Sequence, residues 1–193
     1  MGVGKILSSI KAKNLTSLTL TFILLTSILF PVVSASGGAE HPVGSGPKEW
    51  WIEYPAQHSN AGSAVDHPSW ALDLLEEKAV LVFIHKNNCP SCAVQEPDIK
   101  KVLEELGDET AYRDLLIDNG DQKAWEGINI YDPNGGVMTY VPVTIFLTLV
   151  SGPSGEAEVA WHSVTGYSGE RQIRSYLNDA IALYEENSAK WDR

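Results

Sequence analysis

Apolar and polar positions follow three regimes along the chain. Residues 15–33, "LTSLTLTFILLTSILFPVV", are apolar or hydroxylic without one charge. Residues 36–64, "SGGAEHPVGSGPKEWWIEYPAQHSNAGSA", lose that pattern and suggest a linker interrupted by an aromatic knot at Trp50, Trp51 and Tyr54, which is expected to pack on the domain. From Asp66 the spacing becomes that of a folded unit. "DHPSWALDLLEEKA" sets Trp70, Ala71, Leu74 and Leu75 on one helical face behind a capping Asp66 or Ser69. "VLVFIH", residues 80–85, is an unbroken β-branched and aromatic run, as a strand buried on both faces requires. Helical spacing resumes from Cys92 through Val94, Ile99, Val102, Leu103 and Leu106, and Gly107 stops it.

Downstream, "RDLLID" at 113–118 predicts a second strand, and a short helical stretch follows around 122–125. "VPVTIFLTLV" and "EAEVAWHSV", joined by "SGPSG", predict an antiparallel hairpin. The final helix, about residues 169–186, carries one stripe of Ile173, Tyr176, Leu177, Ala180, Ile181 and Tyr184. The predicted order is helix, strand, helix, strand, helix, strand, strand, helix, an α/β class with a mixed sheet covered by helices.

The charge-free segment changes the picture of location. Its nineteen residues would reach about 28 Å as a helix, enough for the hydrocarbon core of a bilayer. Pro31 near its end and the small residues of "VSA" at 33–35 favour a cleaved signal peptide over a permanent N-terminal membrane anchor. Lys5, Lys11 and Lys13 precede the segment, so in either case the chain from Ala35 onwards is expected outside the cytoplasm, secreted or membrane-anchored through residues 15–33. The division expected is 1–35 targeting segment, 36–64 linker, 65–187 folded domain and 188–193 C-terminal tail.

At 193 residues and 44% apolar the chain can bury one core of ordinary size. None of the 25 acidic residues precedes Ala35, whereas 3 of the 14 basic ones do, leaving 25 acidic against 11 basic residues in the remainder. Such a surface repels phosphate backbones, so nucleic acid is excluded as a partner class. There is no Gly-x-Ser-x-Gly elbow and no phosphate-cradling glycine loop, which removes the common hydrolases and nucleotide enzymes.

Candidate chemistry concentrates in "HKNNCPSCAVQEP", which holds both cysteines, Cys89 and Cys92. An exported domain stapled by disulfides usually carries four or more cysteines, so a single close pair points to reactivity. Two intervening residues place the sulfurs one helical turn apart, where a disulfide closes with little backbone movement. At a helix start, unpaired N–H groups and the positive dipole end stabilise a thiolate, which makes Cys89 the nucleophile and Cys92 the resolving thiol. Lys86 adds a positive charge nearby or is simply solvated.

Two other readings compete. Two thiolates are half of a tetrahedral metal shell, yet none of His41, His58, His67, His85 and His162 stands at ligand-like spacing from another, and only His85 is near the cysteines. A static staple in a non-catalytic protein-binding module is the other, although so short a loop gains little from restricting the unfolded chain.

The stretch from about Asp66 to Tyr184 resembles the thioredoxin superfamily. The likeness rests on Cys89-Pro90-Ser91-Cys92 after a buried strand, on Pro97 five residues beyond the second cysteine, on Val141-Pro142 ahead of "VTIF", and on Gly166 before the last helix. It implies a thioredoxin-like three-layer fold, a cis-Pro142 beside the cysteines, and a Val141 backbone able to pair with a substrate strand. It also implies a thiol-disulfide oxidoreductase of cell redox homeostasis with a redox-active Cys89–Cys92 centre, which the charge-free segment would place outside the cytoplasm; no cofactor or metal is expected. Its partners would be protein or small-molecule thiols and disulfides and a further redox partner.

Departures accompany the likeness. Asn88 stands where thioredoxins carry tryptophan, and Phe83 where they carry a buried aspartate. Pro-Ser between the cysteines differs from thioredoxin's Gly-Pro; a proline directly after the first cysteine is seen in glutaredoxins and envelope disulfide oxidases, whose glutathione-site residues and helical insertion are not apparent here. The connection at 129–140, "NIYDPNGGVMTY", is longer than in thioredoxins and is either a substrate-selecting loop or a plain surface insertion.

Overall fold

A computed structural model of the protein describes residues 39–136 and 140–192. The expected targeting segment lies outside the described residues, as does the stretch 137–139 of the long connection. Among the described residues no helix is long and apolar enough to cross a membrane.

Eight elements form in the expected order: α1 (Ser69–Leu75), β1 (Ala79–His85), α2 (Pro90–Leu106), β2 (Thr110–Leu116), α3 (Gln122–Tyr131), β3 (Val143–Ser151), β4 (Ala157–Thr165) and α4 (Glu170–Asn187). The strands make one mixed sheet in the order β2-β1-β3-β4. β1 and β2 run parallel, while β3 is antiparallel to both β1 and β4. β1 is central and buried except at His85, as its unbroken apolar run requires. Its alternate side chains serve opposite faces. Leu81 and Phe83 pack with Ile99 and Val102 of α2 and Ile173, Tyr176, Leu177 and Ala180 of α4. Val80, Val82 and Ile84 pack with Trp70 and Leu75 of α1 and Ala124, Ile128 and Tyr131 of α3. The result is the three-layer α/β architecture predicted.

Boundaries of two elements, β2 and α3, differ from expectation. β2 begins at Thr110, three residues early, because Thr110–Tyr112 pair with Ala79–Leu81 of β1, a tertiary contact that their own composition does not announce. α3 runs on to Tyr131, through a glycine. A Cβ at Gly127 would stand 2.9 Å from Ile84 Cδ1, so glycine there lets the helix approach the sheet.

Residues 39–65, linker-like in composition, form a strap held against the domain. Trp50 and Trp51 are consecutive and point to opposite faces, Trp50 into the layer of α2 and α4 and Trp51 into that of α1 and α3. Trp51 also exchanges two main-chain hydrogen bonds of 2.9 Å with Trp161, adding a bridge to the outer edge of β4. The expected packing of the aromatic knot is therefore present. Upstream, the buried Asp179 of α4 accepts the backbone N–H groups of Glu40 and His41 and the His41 ring nitrogen, each at 2.8 Å. Tyr176 lies between two imidazoles, with His41 and His162 each stacked at 3.9 Å.

His162 donates from Nδ1 to the Glu49 carbonyl at 2.9 Å, and its pKa is pushed down to about 4, chiefly by burial. His67, beside the Tyr131 hydroxyl, is pushed to about 4 for the same reason. Released into water, both rings take up a proton near the ordinary 6.5, whereas in the fold they stay neutral. The unfolded chain thus binds more protons between pH 6.5 and 4, and stability present above that window is lost as the pH falls through it. The loss is on the order of 2–3 kcal/mol per ring. Thermal melts from pH 7 to 4 should show a falling Tm, with a shallower fall in His162→Asn, whose amide can still donate to Glu49. An identical slope in that variant contradicts the assignment.

Candidate active site

The site is built where β1 hands over to α2. The turn at residues 86–88 is tied to the neighbouring loop by the Asn87 N–H, which donates to Asp118 Oδ2 at 2.6 Å. Asn88 adopts a left-handed conformation, φ 55°, which asparagine tolerates better than most residues. Cys89 is then the helix N-cap and Pro90 occupies the first turn, where its missing N–H costs nothing. Cys89 and Cys92 are joined as a disulfide with Cα atoms 5.2 Å apart. Cys89 Sγ accepts the Cys92 N–H at 3.2 Å and lies 3.3 Å from Ser91 Oγ. An unpaired donor of the helix start is thus aimed at this sulfur, the arrangement that favours a thiolate once the disulfide is opened.

A second segment closes on the pair. The Val141-Pro142 bond is cis, and the Val141 carbonyl oxygen lies 3.8 Å from Cys89 Sγ. The Pro142 carbonyl accepts the N–H of Gly166, a residue at φ 88° where a side chain would be strained. Pro142 is buried and Val141 half-buried. The four residues singled out from the sequence, Cys89, Cys92, Val141 and Pro142, therefore come together.

Pro97 lies inside α2 and withholds the helical bond that the Ala93 carbonyl would accept. Val94, counted in the apolar stripe of this helix, is instead 59% exposed. The inward position belongs to Gln95, which is fully buried. Its amide donates to Thr144 Oγ1, two residues beyond Pro142, while its carbonyl accepts the Ser168 N–H at 2.7 Å. One side chain thereby ties α2, β3 and the approach to α4 together beneath the disulfide. The signal was present in the sequence: residues 95, 99, 102 and 106 share a helical face, and a glutamine there demands partners.

The disulfide opens into a cleft of about 490 Å³ lined by His85, Lys86, Cys89, Cys92, Ala93 and Glu96. Phe83 packs in the same apolar cluster as both cysteines. His85 stacks on Phe83 at 4.9 Å, and its Nε2 meets Asp114 Oδ1 at 2.7 Å. The Lys100 ammonium, hydrogen-bonded to Glu96 at 2.6 Å, holds that carboxyl below the usual carboxylate range. Around the site, Val94, Tyr140 and Tyr167 are large apolar side chains left exposed, and the Tyr167 hydroxyl donates to Asp98 of α2.

The histidines considered as metal ligands are dispersed: His41 pairs with Asp179, His58 stacks on Tyr54, His67 meets Tyr131 and His162 meets Glu49. Among the described residues no three His, Cys, Asp or Glu side chains gather as a metal site. In the long connection, 129–131 belong to α3, and Asp132 accepts the N–H groups of Asn134 and Gly136. Ser59 of the strap donates to the Gly135 carbonyl.

No family model and no curated protein matches the sequence. Among solved structures the chain is similar to chloroplastic thioredoxin z, at 14% identity over 60% of this chain and 92% of that one, with a TM-score of 0.40. It is also similar to a thioredoxin of Fasciola hepatica, at 13% identity over 58% and 89% of the two chains, TM-score 0.40. A malaria-parasite thioredoxin-2 gives 10% identity over 52% and 82%, TM-score 0.39. With strand order β2-β1-β3-β4, a cysteine pair closing the first turn of the helix after β1, and a cis-proline entering β3, this chain has the thioredoxin fold.

Proposed function

We propose that the protein is a thiol-disulfide oxidoreductase working outside the cytoplasm, through Cys89 as nucleophile and Cys92 as resolving thiol. The observation that carries the reading is the position of Cys89 Sγ, which receives a helix N–H and stands against the Val141 carbonyl at the mouth of an open cleft. In the reductive direction the Cys89 thiolate attacks a substrate disulfide, and one substrate sulfur leaves and takes up a proton. Cys92 gives up its proton and attacks Cys89 Sγ, the mixed disulfide breaks, and the second substrate sulfur departs as a thiol. The substrate gains two electrons and two protons, and the protein is left with its disulfide, which an external dithiol must reduce.

The substrate is a protein or small thiol compound whose extended segment lies along Val141 and Pro142, flanked by Val94, Tyr140 and Tyr167. The charge-free segment at 15–33 supports export, by a cleaved signal or a membrane anchor. Equilibration against dithiothreitol, followed by turnover of a disulfide-bonded peptide, tests the activity. The pair is expected to open reversibly and to accelerate peptide reduction well above dithiothreitol alone. A potential near that of thioredoxin, about −270 mV, marks a reductant, and one near −120 mV an oxidant. Cysteines that stay closed in excess dithiothreitol while the protein remains folded would leave only a binding module.

A further inference from the structure

We propose, on the oxidoreductase reading above, that His85, held by Asp114, is the base that accepts the Cys92 proton when this thiol attacks the mixed disulfide. Cys92 is 4% exposed and packs among apolar side chains, a setting that keeps a thiol protonated. Its attack on Cys89 Sγ requires that proton to leave. Phe83, below the pair, has no group to receive it.

The cleft shared by both cysteines offers three ionisable side chains, His85, Lys86 and Glu96. An ammonium accepts nothing. Glu96 is held ionised by Lys100 and is therefore a poor base. His85 remains. Its ring lies flat on Phe83, which itself touches the cysteine cluster, so its position is fixed from the sheet side. With Nε2–H donating to Asp114 Oδ1 at 2.7 Å, Nδ1 carries the free lone pair, the same division of roles by which a carboxylate orients a general-base histidine.

The charges facing this ring come from β2 as Asp114, from α2 as Glu96 with Lys100 behind it, and from its own loop as Lys86. In the step, the Cys92 S–H bond breaks and its proton passes to His85 Nδ1 through the cleft. The freed electron pair forms the Cys92–Cys89 bond, and the substrate sulfur leaves with the electrons of the mixed disulfide. His85 then returns the proton to solvent or to the departing thiolate.

The reduced full-length protein, mixed with 5,5′-dithiobis(2-nitrobenzoate), separates the two steps: one thionitrobenzoate is released as Cys89 attacks and a second as Cys92 resolves. His85→Gln keeps a donor toward Asp114 but cannot take a proton. It should slow the second release relative to the first by on the order of 10²-fold. His85→Ala should do the same, with the second release partly restored by added imidazole, an effect that a purely structural role does not produce. A second release at the wild-type ratio in His85→Gln overturns the inference, as does a slowed His85→Ala that imidazole leaves untouched. A wild-type protein that releases no second equivalent sinks the oxidoreductase reading itself, an outcome distinct from either.

Discussion

Cys92→Ala should halt exchange midway and leave partners covalently bound to Cys89, visible as species that vanish on reduction in non-reducing electrophoresis. Cys89→Ala should trap nothing and lower disulfide turnover by on the order of 10³-fold or more, because the attacking atom is gone. The asymmetry follows from geometry. Only Cys89 is the helix N-cap, with the Cys92 N–H directed at its sulfur and the cis-proline segment alongside. Both variants should melt near the oxidised wild-type protein, since a bridge spanning three residues restricts the unfolded chain little. Equal trapping by the two variants would show that the sulfurs are interchangeable and would remove the assigned roles.

Trp50→Ala should cost about 3–5 kcal/mol of stability, the range for deleting a large buried side chain. For a domain of this size that is a fall in Tm of roughly 10 °C or more. Trp50 is fully buried, packs edge-on against Tyr176 at 5.8 Å and His162 at 6.3 Å, and belongs to the same cluster as Phe83 and the cysteines. Calorimetry decides the matter. A variant melting within a degree or two of wild type would mean that the strap is an accessory and that the core closes without it.

How much of this was legible in the sequence depended on whether the cause was local. The run 80–85, the cysteine spacing, Pro142 and the hairpin each carry their structural reason within a few residues, and each appears where expected. β2 was misplaced because its first three residues owe their state to β1. α3 extends beyond the stretch its sequence announces, through Gly127, whose close approach to Ile84 exists only in three dimensions. Val94 is apolar yet exposed, because the helical angle that buries Ile99 and Val102 turns Gln95 inward in its stead. The strap was the least legible element. Glycine, serine, proline and alanine are frequent in it, and its attachment depends on Asp179, more than a hundred residues away. At the site, the sequence brought the sulfurs and the proline loop together but not Gln95 or the His85–Asp114 pair, whose significance lies in what they face.

The bridge between Trp51 and Trp161 also bears on how copies of this protein behave when crowded. A sheet edge with open N–H and C=O groups invites another strand, and the two outer strands guard against this differently. β2 carries the exposed, charged Arg113 and Asp114. β4 is buried only in its middle, from Ala160 to Ser163, and there Trp51 of the strap bridges its outer edge at Trp161. Proteolytic trimming past residue 51 would therefore do more than shorten the chain: it would take Trp50 and Trp51 out of the two cores and uncover an adhesive margin on β4, tying aggregation to the integrity of the amino-terminal segment.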